Sequence, residues 1–124
     1  MANEGFLGKH EIKGERASTD DHPLILHALP LADGVTGILQ PGTLMKRVEI
    51  KDGETLVGYA YAPLAAADTE APCAVVDVPC ETEHEQSAKC IVHGCAKTRL
   101  LKIGTEPAGE IAIEKLRMAG IFAC

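Results

Sequence analysis

The chain has 124 residues, enough for one domain with a single modest core, and a formal net charge of −6. Hydrophobic residues make up 46% of it, whereas aromatic residues make up only 3% and Trp is absent. We therefore expect neither a site built from stacked rings nor a nucleic-acid partner, which requires clustered Lys and Arg.

Residues 1–22 contain three glycines and only scattered apolar side chains. Such a segment buries too little surface to offset the entropy of ordering, so we predict a flexible arm that becomes extended on a partner. Its expected contact residues are Phe6, Leu7, His10 and Ile12. Phe6 alone would contribute about 2 kcal/mol if a partner buried it. Residues 23–124 are then the compact domain.

Two patterns in the first half of this domain predict β structure. Residues 24–42 are apolar but interrupted by two prolines and two internal glycines, which favours short extended segments joined by tight turns. Residues 43–50 then largely alternate between apolar and polar side chains, and Asp52-Gly53 links them to a second run, residues 54–64. A two-residue Asp-Gly link between such runs predicts a type I′ β-hairpin.

The second half predicts two more strands. Residues 73–80 form a short buried strand that Pro79 ends, and residues 81–89 form a polar connection. Residues 90–103 form a second strand, with Gly94 at a bulge or a close approach of two backbones.

In the last segment, residues 105–124, the spacing of the apolar residues changes from that of a strand to that of a helix, which predicts one short helix. Thr105 is the expected N-cap, with Glu106 and Pro107 in the first turn. Gly120 is expected just after the last helical residue, where Ile121 can pack back onto Leu116. The fold class is therefore mainly β with one short C-terminal helix.

Cysteine and histidine form the one cluster that suggests a site: Cys80, His84, Cys90, His93 and Cys95. Their spacing lacks the Cys-x2-Cys pairs of common structural zinc sites. Cys90 and Cys95 would also face opposite sides of a regular strand. We interpret these thiols as small core residues and expect no metal or other cofactor. The alternative is a small metal-binding or redox protein that uses the cluster.

The sequence contains no catalytic Cys signature and no Gly-rich phosphate loop, so we expect no enzymatic activity. No stretch reaches the roughly 18 apolar residues that a membrane span needs. The polar N-terminus also lacks the apolar centre of a signal peptide. We therefore expect the protein to be made and kept in a cytoplasm, where its five thiols stay reduced.

The order of these features resembles the lambda-type head decoration proteins of tailed bacteriophages. In that family a polar arm precedes a Gly-Thr-Leu strand opening with a hairpin, here QPGTLMKR at residues 40–47. Two strands around an acidic turn follow, loosely matched by residues 74–101, and then a helix ending in Leu-x-x-x-Gly-Ile, here residues 116–121. The likeness covers roughly residues 23–124.

The resemblance implies a β-tulip-like α+β fold and a structural protein without enzymatic activity, cofactor, nucleic-acid partner or membrane partner. It implies a homotrimer on the outer surface of the phage head, made in the cytoplasm of the bacterial host. The trimer would sit at three-fold and quasi-three-fold positions of the expanded capsid, bind the major capsid protein through its arms, and stabilise the shell against the pressure of packaged DNA.

This chain departs from the family by four Cys and two His in or near the strands, where Val, Ala or Arg is usual. A metal site or a disulfide between subunits therefore stays open. A further alternative is another virion β-module, such as a tail-tube or head-completion subunit, which would assemble as a ring.

Overall fold

The computed structural model describes residues 15–19 and 23–124. Within them the chain is mainly β with a single short helix near the C-terminus, which confirms the predicted fold class. The elements in chain order are β1 (Ile25–Pro30), β2 (Ile38–Leu39), β3 (Leu44–Asp52), β4 (Thr55–Pro63), β5 (Ala74–Val76), β6 (Cys80–Glu81), β7 (Ser87–Ala96), a 3-10 helix (Thr98–Leu100), β8 (Lys102–Ile103), β9 (Glu106–Pro107), α1 (Glu110–Met118) and β10 (Ile121–Ala123).

The main sheet has the strand order β1-β7-β5-β3-β4, and these neighbours are antiparallel. β10 adds to β7 in parallel, and two small sheets, β2-β6 and β8-β9, lie beside it. Leu31, just after β1, forms a bridge with Tyr61 of β4. The sheet therefore curves until its two outer strands meet at one end.

The central strands are buried on both faces. Two apolar clusters lie on either side of the sheet, and adjacent residues of one strand belong to different clusters: Leu44 and Met45, Val75 and Val76, Ile91 and Cys90. Strands covered on both faces are continuously apolar. This accounts for the unbroken apolar run that contains Val75 and Val76. Aliphatic side chains fill the first cluster, and the second also contains cysteine thiols.

The predicted hairpin is confirmed as β3 and β4, but its link is displaced by one residue. Asp52 pairs with Thr55, so the two loop residues are Gly53 and Glu54 and not Asp52 and Gly53. Gly53 has a φ of 67°, a conformation that suits glycine at the first loop position.

The predicted strand over residues 90–103 was wrong at both ends. β7 begins earlier, at Ser87, and stops at Ala96. After it the chain turns, since the Leu100 N–H donates to the Lys97 carbonyl. The close approach predicted at Gly94 is confirmed, because a Cβ there would lie 3.1 Å from the Pro23 carbonyl oxygen.

The predicted start of the helix was also wrong. Thr105 lies in the turn between β8 and β9, after Gly104 with a φ of 65°, and the helix begins at Glu110. Strand pairing extends past this turn, since the Ala108 N–H donates to the Leu101 carbonyl at 2.9 Å. The predicted end is confirmed, because Gly120 follows the helix with a φ of 93°.

Among the described glycines, Gly42 leaves the least room for a Cβ atom, and we expect Gly42→Ala to lower the free energy of unfolding by more than about 3 kcal/mol. A Cβ at this position would lie 1.9 Å from the Leu100 carbonyl oxygen, and the φ of 94° adds strain. Gly34→Ala is the matched control, since its φ of 87° is similar but nothing lies within 4 Å. It should cost about 1–2 kcal/mol. Equal losses in chemical denaturation would contradict the steric argument.

Candidate functional site

The predicted contact residues Phe6, Leu7, His10 and Ile12 lie outside the described residues. Residues 15–19 belong to the same predicted arm, yet they pack on the folded domain. We call them the anchor segment. In the structure they therefore belong with the folded domain, and the predicted boundary at residue 22 stays a prediction.

Backbone pairing joins the anchor segment to the end of β7. Ser18 forms an antiparallel bridge with Ala96. The Thr19 N–H donates to the Cys95 carbonyl at 3.2 Å, and the Lys97 N–H donates to the Ala17 carbonyl at 2.7 Å. Ala17 is fully buried and belongs to the first apolar cluster. The anchor segment is thus a short added strand with a buried side chain of its own.

The side chain of Asp77 binds this added strand. Its side chain is 1% exposed, although it carries a carboxylate. Arg16 donates to Oδ2 from Nε at 3.1 Å and from Nη2 at 2.6 Å, and the Ser18 N–H donates to Oδ1 at 3.0 Å. The Asp77 carbonyl also accepts the Ala17 N–H at 3.0 Å. Both carboxylate oxygens therefore have partners in the anchor segment.

Physical chemistry explains why these groups occur together. An unpaired carboxylate in an apolar interior is costly, so a buried Asp requires a cation and hydrogen-bond donors. Asp77 follows directly on the buried residues Val75 and Val76, and this placement in an apolar run is a sequence feature that demands a partner. Arg16 could not be identified as that partner, because 61 positions separate the two residues.

The exposed side of the anchor segment adds a second, weaker ion-pair group. Glu15 pairs with Lys97 at 2.9 Å and also with Arg99. All three side chains are substantially exposed, so solvent and salt screen their attraction. We expect the buried ion pair between Asp77 and Arg16 to contribute more than these exposed pairs to the attachment of the anchor segment.

The predicted Cys and His cluster does not converge on one point. Cys80 and Cys90 lie in the second apolar cluster, and His84 is exposed. His93 contacts the Phe122 ring edge-on, with centroids 6.1 Å apart. In the part of the chain that the structure describes, no three Cys, His, Asp or Glu side chains are grouped so that they could hold a metal ion.

Burial favours the protonated form of the Cys73, Cys80 and Cys90 thiols. It raises the pKa of Cys90 to about 12, with smaller contributions from the neighbouring Cys73, Cys80 and Asp77. Burial also raises the pKa of Cys73 and of Cys80. The Cys73 thiol donates to the Met45 carbonyl at 3.6 Å. A thiol held in its neutral form is a poor nucleophile and a poor metal ligand, which favours a packing role.

The grooves on the surface of the described residues include two open ones. One, of about 140 Å³, lies beside the turn at residues 81–84. The other, of about 250 Å³, lies between α1 and residues 64–72, and its polar side chains are Asp68, Glu70 and Lys115. No helix within the described ranges has both the length and the apolar character needed to cross a membrane.

No family model, curated protein or solved structure matches this chain.

Arg16→Ala should lower the free energy of unfolding by about 2–3 kcal/mol, because it leaves the Asp77 carboxylate buried without its cation. Hydrogen exchange should also accelerate at the Ala17 amide, which donates to Asp77. Arg99→Ala removes an exposed ion pair from the same segment and should cost less than about 1 kcal/mol. Similar losses for both variants in chemical denaturation would refute the dominance of the Asp77 pair.

The raised pKa of Cys90 predicts a loss of stability at alkaline pH. Between the ordinary thiol pKa, about 8.5, and about 12, the unfolded chain has released this proton and the folded chain has not. Stability therefore falls with rising pH, by at most about 1.4 kcal/mol per pH unit for one group. Cys90→Ala removes this contribution, so its unfolding free energy should decline less steeply than that of the wild type.

Cys124→Ala is the control, because its side chain is exposed. Urea denaturation at several pH values between about 8 and 11 measures the slope for all three proteins. Parallel curves for the wild type and Cys90→Ala would show that this thiol does not carry the effect.

Proposed function

We propose that this protein is a non-enzymatic structural subunit that decorates the outer surface of a phage head. It would bind the major capsid protein of the expanded shell as a homotrimer, at three-fold and quasi-three-fold positions. The observation that supports this role best is the anchor segment. Asp77 and β7 hold residues 15–19 on the domain, so an arm formed by residues 1–14 would begin at a fixed position.

Attachment of residues 15–19 to the domain lowers the entropy cost of binding through the arm. Only residues 1–14 then have to be ordered on the shell, since residues 15–19 are already ordered on the domain. Fourteen residues reach at most about 50 Å when fully extended. An extended segment can add to the edge of a sheet in a shell subunit, which supplies main-chain hydrogen bonds and pockets for side chains such as Phe6 and Ile12.

One such arm would bind weakly, because ordering a disordered segment opposes its binding. Three arms on one trimer act together, and linked binding can raise avidity by about 10² to 10⁴ over a single site. A trimer held in this way would join three shell subunits and resist their separation under the pressure of packaged DNA.

The thiols favour this structural role over the metal-binding or redox alternative. Cys73, Cys80 and Cys90 all have raised pKa values because they are buried. A redox or catalytic Cys requires the opposite, a lowered pKa and access to its substrate. The observed environment suits cysteine as a small apolar residue.

The arm can be tested without disturbing its base. A protein in which residues 2–14 are deleted keeps Arg16, Ala17 and Ser18, so it should unfold at the same temperature as the full chain. It should fail to bind expanded, undecorated shells assembled from the capsid protein of the same phage. The measurement is occupancy of the three-fold positions by electron microscopy. Full occupancy by the shortened protein would refute the role of the arm.

Point variants sharpen this test. Phe6→Ala combined with Ile12→Ala should weaken shell binding by at least about tenfold, since each buried apolar side chain contributes about 1.5–3 kcal/mol. Lys9→Ala combined with Glu11→Ala is the matched control, because it alters polar residues of the same segment without changing the net charge. It should leave binding within about threefold. Equal effects would exclude apolar anchoring.

Solution mass separates this proposal from the other virion modules. Tail-tube and head-completion subunits would assemble as rings of six or more copies. A decoration protein should have the mass of a trimer or less in sedimentation or light scattering. A stable ring would refute the decoration role.

A further inference from the structure

The outer part of the β3–β4 hairpin extends beyond the rest of the sheet. β5 pairs only with Leu44 and Met45 of β3, and the bridge from Leu31 reaches β4 only at Tyr61. Residues 46–60 therefore form a two-stranded ribbon in which the backbone pairing within the described chain joins only its own two strands, while the Lys46 side chain at its base pairs with Asp68 at 2.9 Å. We call this part the ribbon. Two strands alone are marginally stable in water.

The ribbon exposes an unusual amount of apolar surface. The described residues include eight large apolar side chains that are exposed, and half of them lie here. The four are Ile50 (45% exposed), Leu56 (43%), Val57 (61%) and Tyr59 (37%). The other four are distributed over three other elements. Concentrated apolar exposure of this kind marks an interaction surface.

Strand register arranges these side chains on the ribbon. Glu49 pairs with Tyr59 and Lys51 pairs with Leu56, so these two exposed apolar side chains share one face of the ribbon with the charged residues. Ile50, which pairs with Gly58, lies on the other face. The register shifts after this pair, leaving Val57 as the extra residue of a bulge. A bulge twists an edge strand and discourages indefinite sheet extension, so a closed contact is favoured over a fibre.

The charges of the ribbon indicate its occupant. It carries three basic residues (Lys46, Arg47, Lys51) and three acidic residues (Glu49, Asp52, Glu54), hence no net charge, in a chain of net charge −6. Two copies repel each other over most of their acidic surfaces, but not where their ribbons meet.

The order of these charges is also self-complementary. Arg47, Glu49 and Lys51 alternate in sign at every second position of β3, so they share one face. Glu49 and Lys51 lie 3.6 Å apart and are each about half exposed. In a second ribbon running in the opposite direction, Glu49 of each copy can lie opposite Lys51 of the other copy, which gives two ion pairs. The guanidinium of Arg47 lies 4.3 Å from the centre of the Tyr59 ring, which keeps that ring oriented.

We propose that the ribbon is the surface through which copies of this chain associate, with the apolar residues of one ribbon packed against those of another. This goes beyond the proposed function, because two ribbons that run in opposite directions join copies in pairs, and this two-fold contact is not the contact that joins the three copies of the proposed trimer. A second ribbon would cover the exposed face of the first, whereas β5 and β7 are already covered on both faces by the two apolar clusters.

The test replaces ribbon apolar residues by lysine. Leu56→Lys combined with Val57→Lys removes two exposed apolar side chains and lowers the net negative charge, so greater overall repulsion cannot explain a loss of association. We expect self-association to weaken at least tenfold, measured by analytical ultracentrifugation from about 1 μM to 1 mM. The unfolding temperature should stay near that of the wild type.

Ile111→Lys combined with Met118→Lys is the matched control. These side chains on α1 are 75% and 80% exposed, and the charge change is identical. The control protein should associate like the wild type. The inference is overturned if the wild type is monomeric up to 1 mM, if the ribbon variant associates normally, or if the α1 variant loses association instead.

A mixing experiment tests whether the partner is a second ribbon. Glu49→Lys alone and Lys51→Glu alone should each weaken self-association, because both place like charges across the interface. Mixing the two variants should restore association between them. Failure of the mixture to associate would overturn the pairing of ribbons.

These outcomes separate the inference from the proposed function. Proteins that associate through the ribbon but do not bind shells would count against head decoration alone. A dimer joined through the ribbon would support the inference and count against the three-fold assembly. Shell binding that survives the loss of ribbon association would support both the inference and the proposed function, and would show that the arm binds the shell without the ribbon contact.

Discussion

A single buried carboxylate connects the first described residues to the rest of the fold. Asp77 is placed beneath the end of β7 by the strand that precedes it, and its charge is compensated by Arg16 and by the backbone of Ser18. Without these partners, burial of the carboxylate would oppose folding. The attachment of the anchor segment and the burial of Asp77 therefore depend on each other, although the two segments are far apart in sequence.

The core is also constrained by the near absence of aromatic residues. In place of large rings, aliphatic residues fill one face of the sheet and Met45, Val76 and three cysteines contribute to the other. Thiols suit this role because they are small, weakly polar and readily buried. The concentration of cysteine that suggested a metal site in the sequence is consistent with the demands of packing on a sheet covered on both sides.

The sequence correctly predicted those elements whose formation depends on residues close together in the chain. Alternation around Asp52 and Gly53 identified the β3–β4 hairpin, and Gly120 identified the end of α1, because turn and cap preferences act over a few residues. The start of α1 was misjudged because Thr105 and Pro107 suit a helix start as well as a tight hairpin. Only the tertiary pairing of β8 with β9 separates the two. The contact between Arg16 and Asp77 was not predicted, because 61 positions separate the two residues in the sequence.

The pairing at the end of β7 has a geometric consequence for anything attached to the domain. Ser18 pairs with Ala96, and so does Ala123 of β10. Strands on either side of a common neighbour lie about 10 Å apart. The anchor segment is antiparallel to β7 and β10 is parallel to it, so residues before Glu15 and residues joined after Cys124 leave from the same end of that strand. A peptide fused behind Cys124 would begin beside Glu15 and on the same side of the molecule.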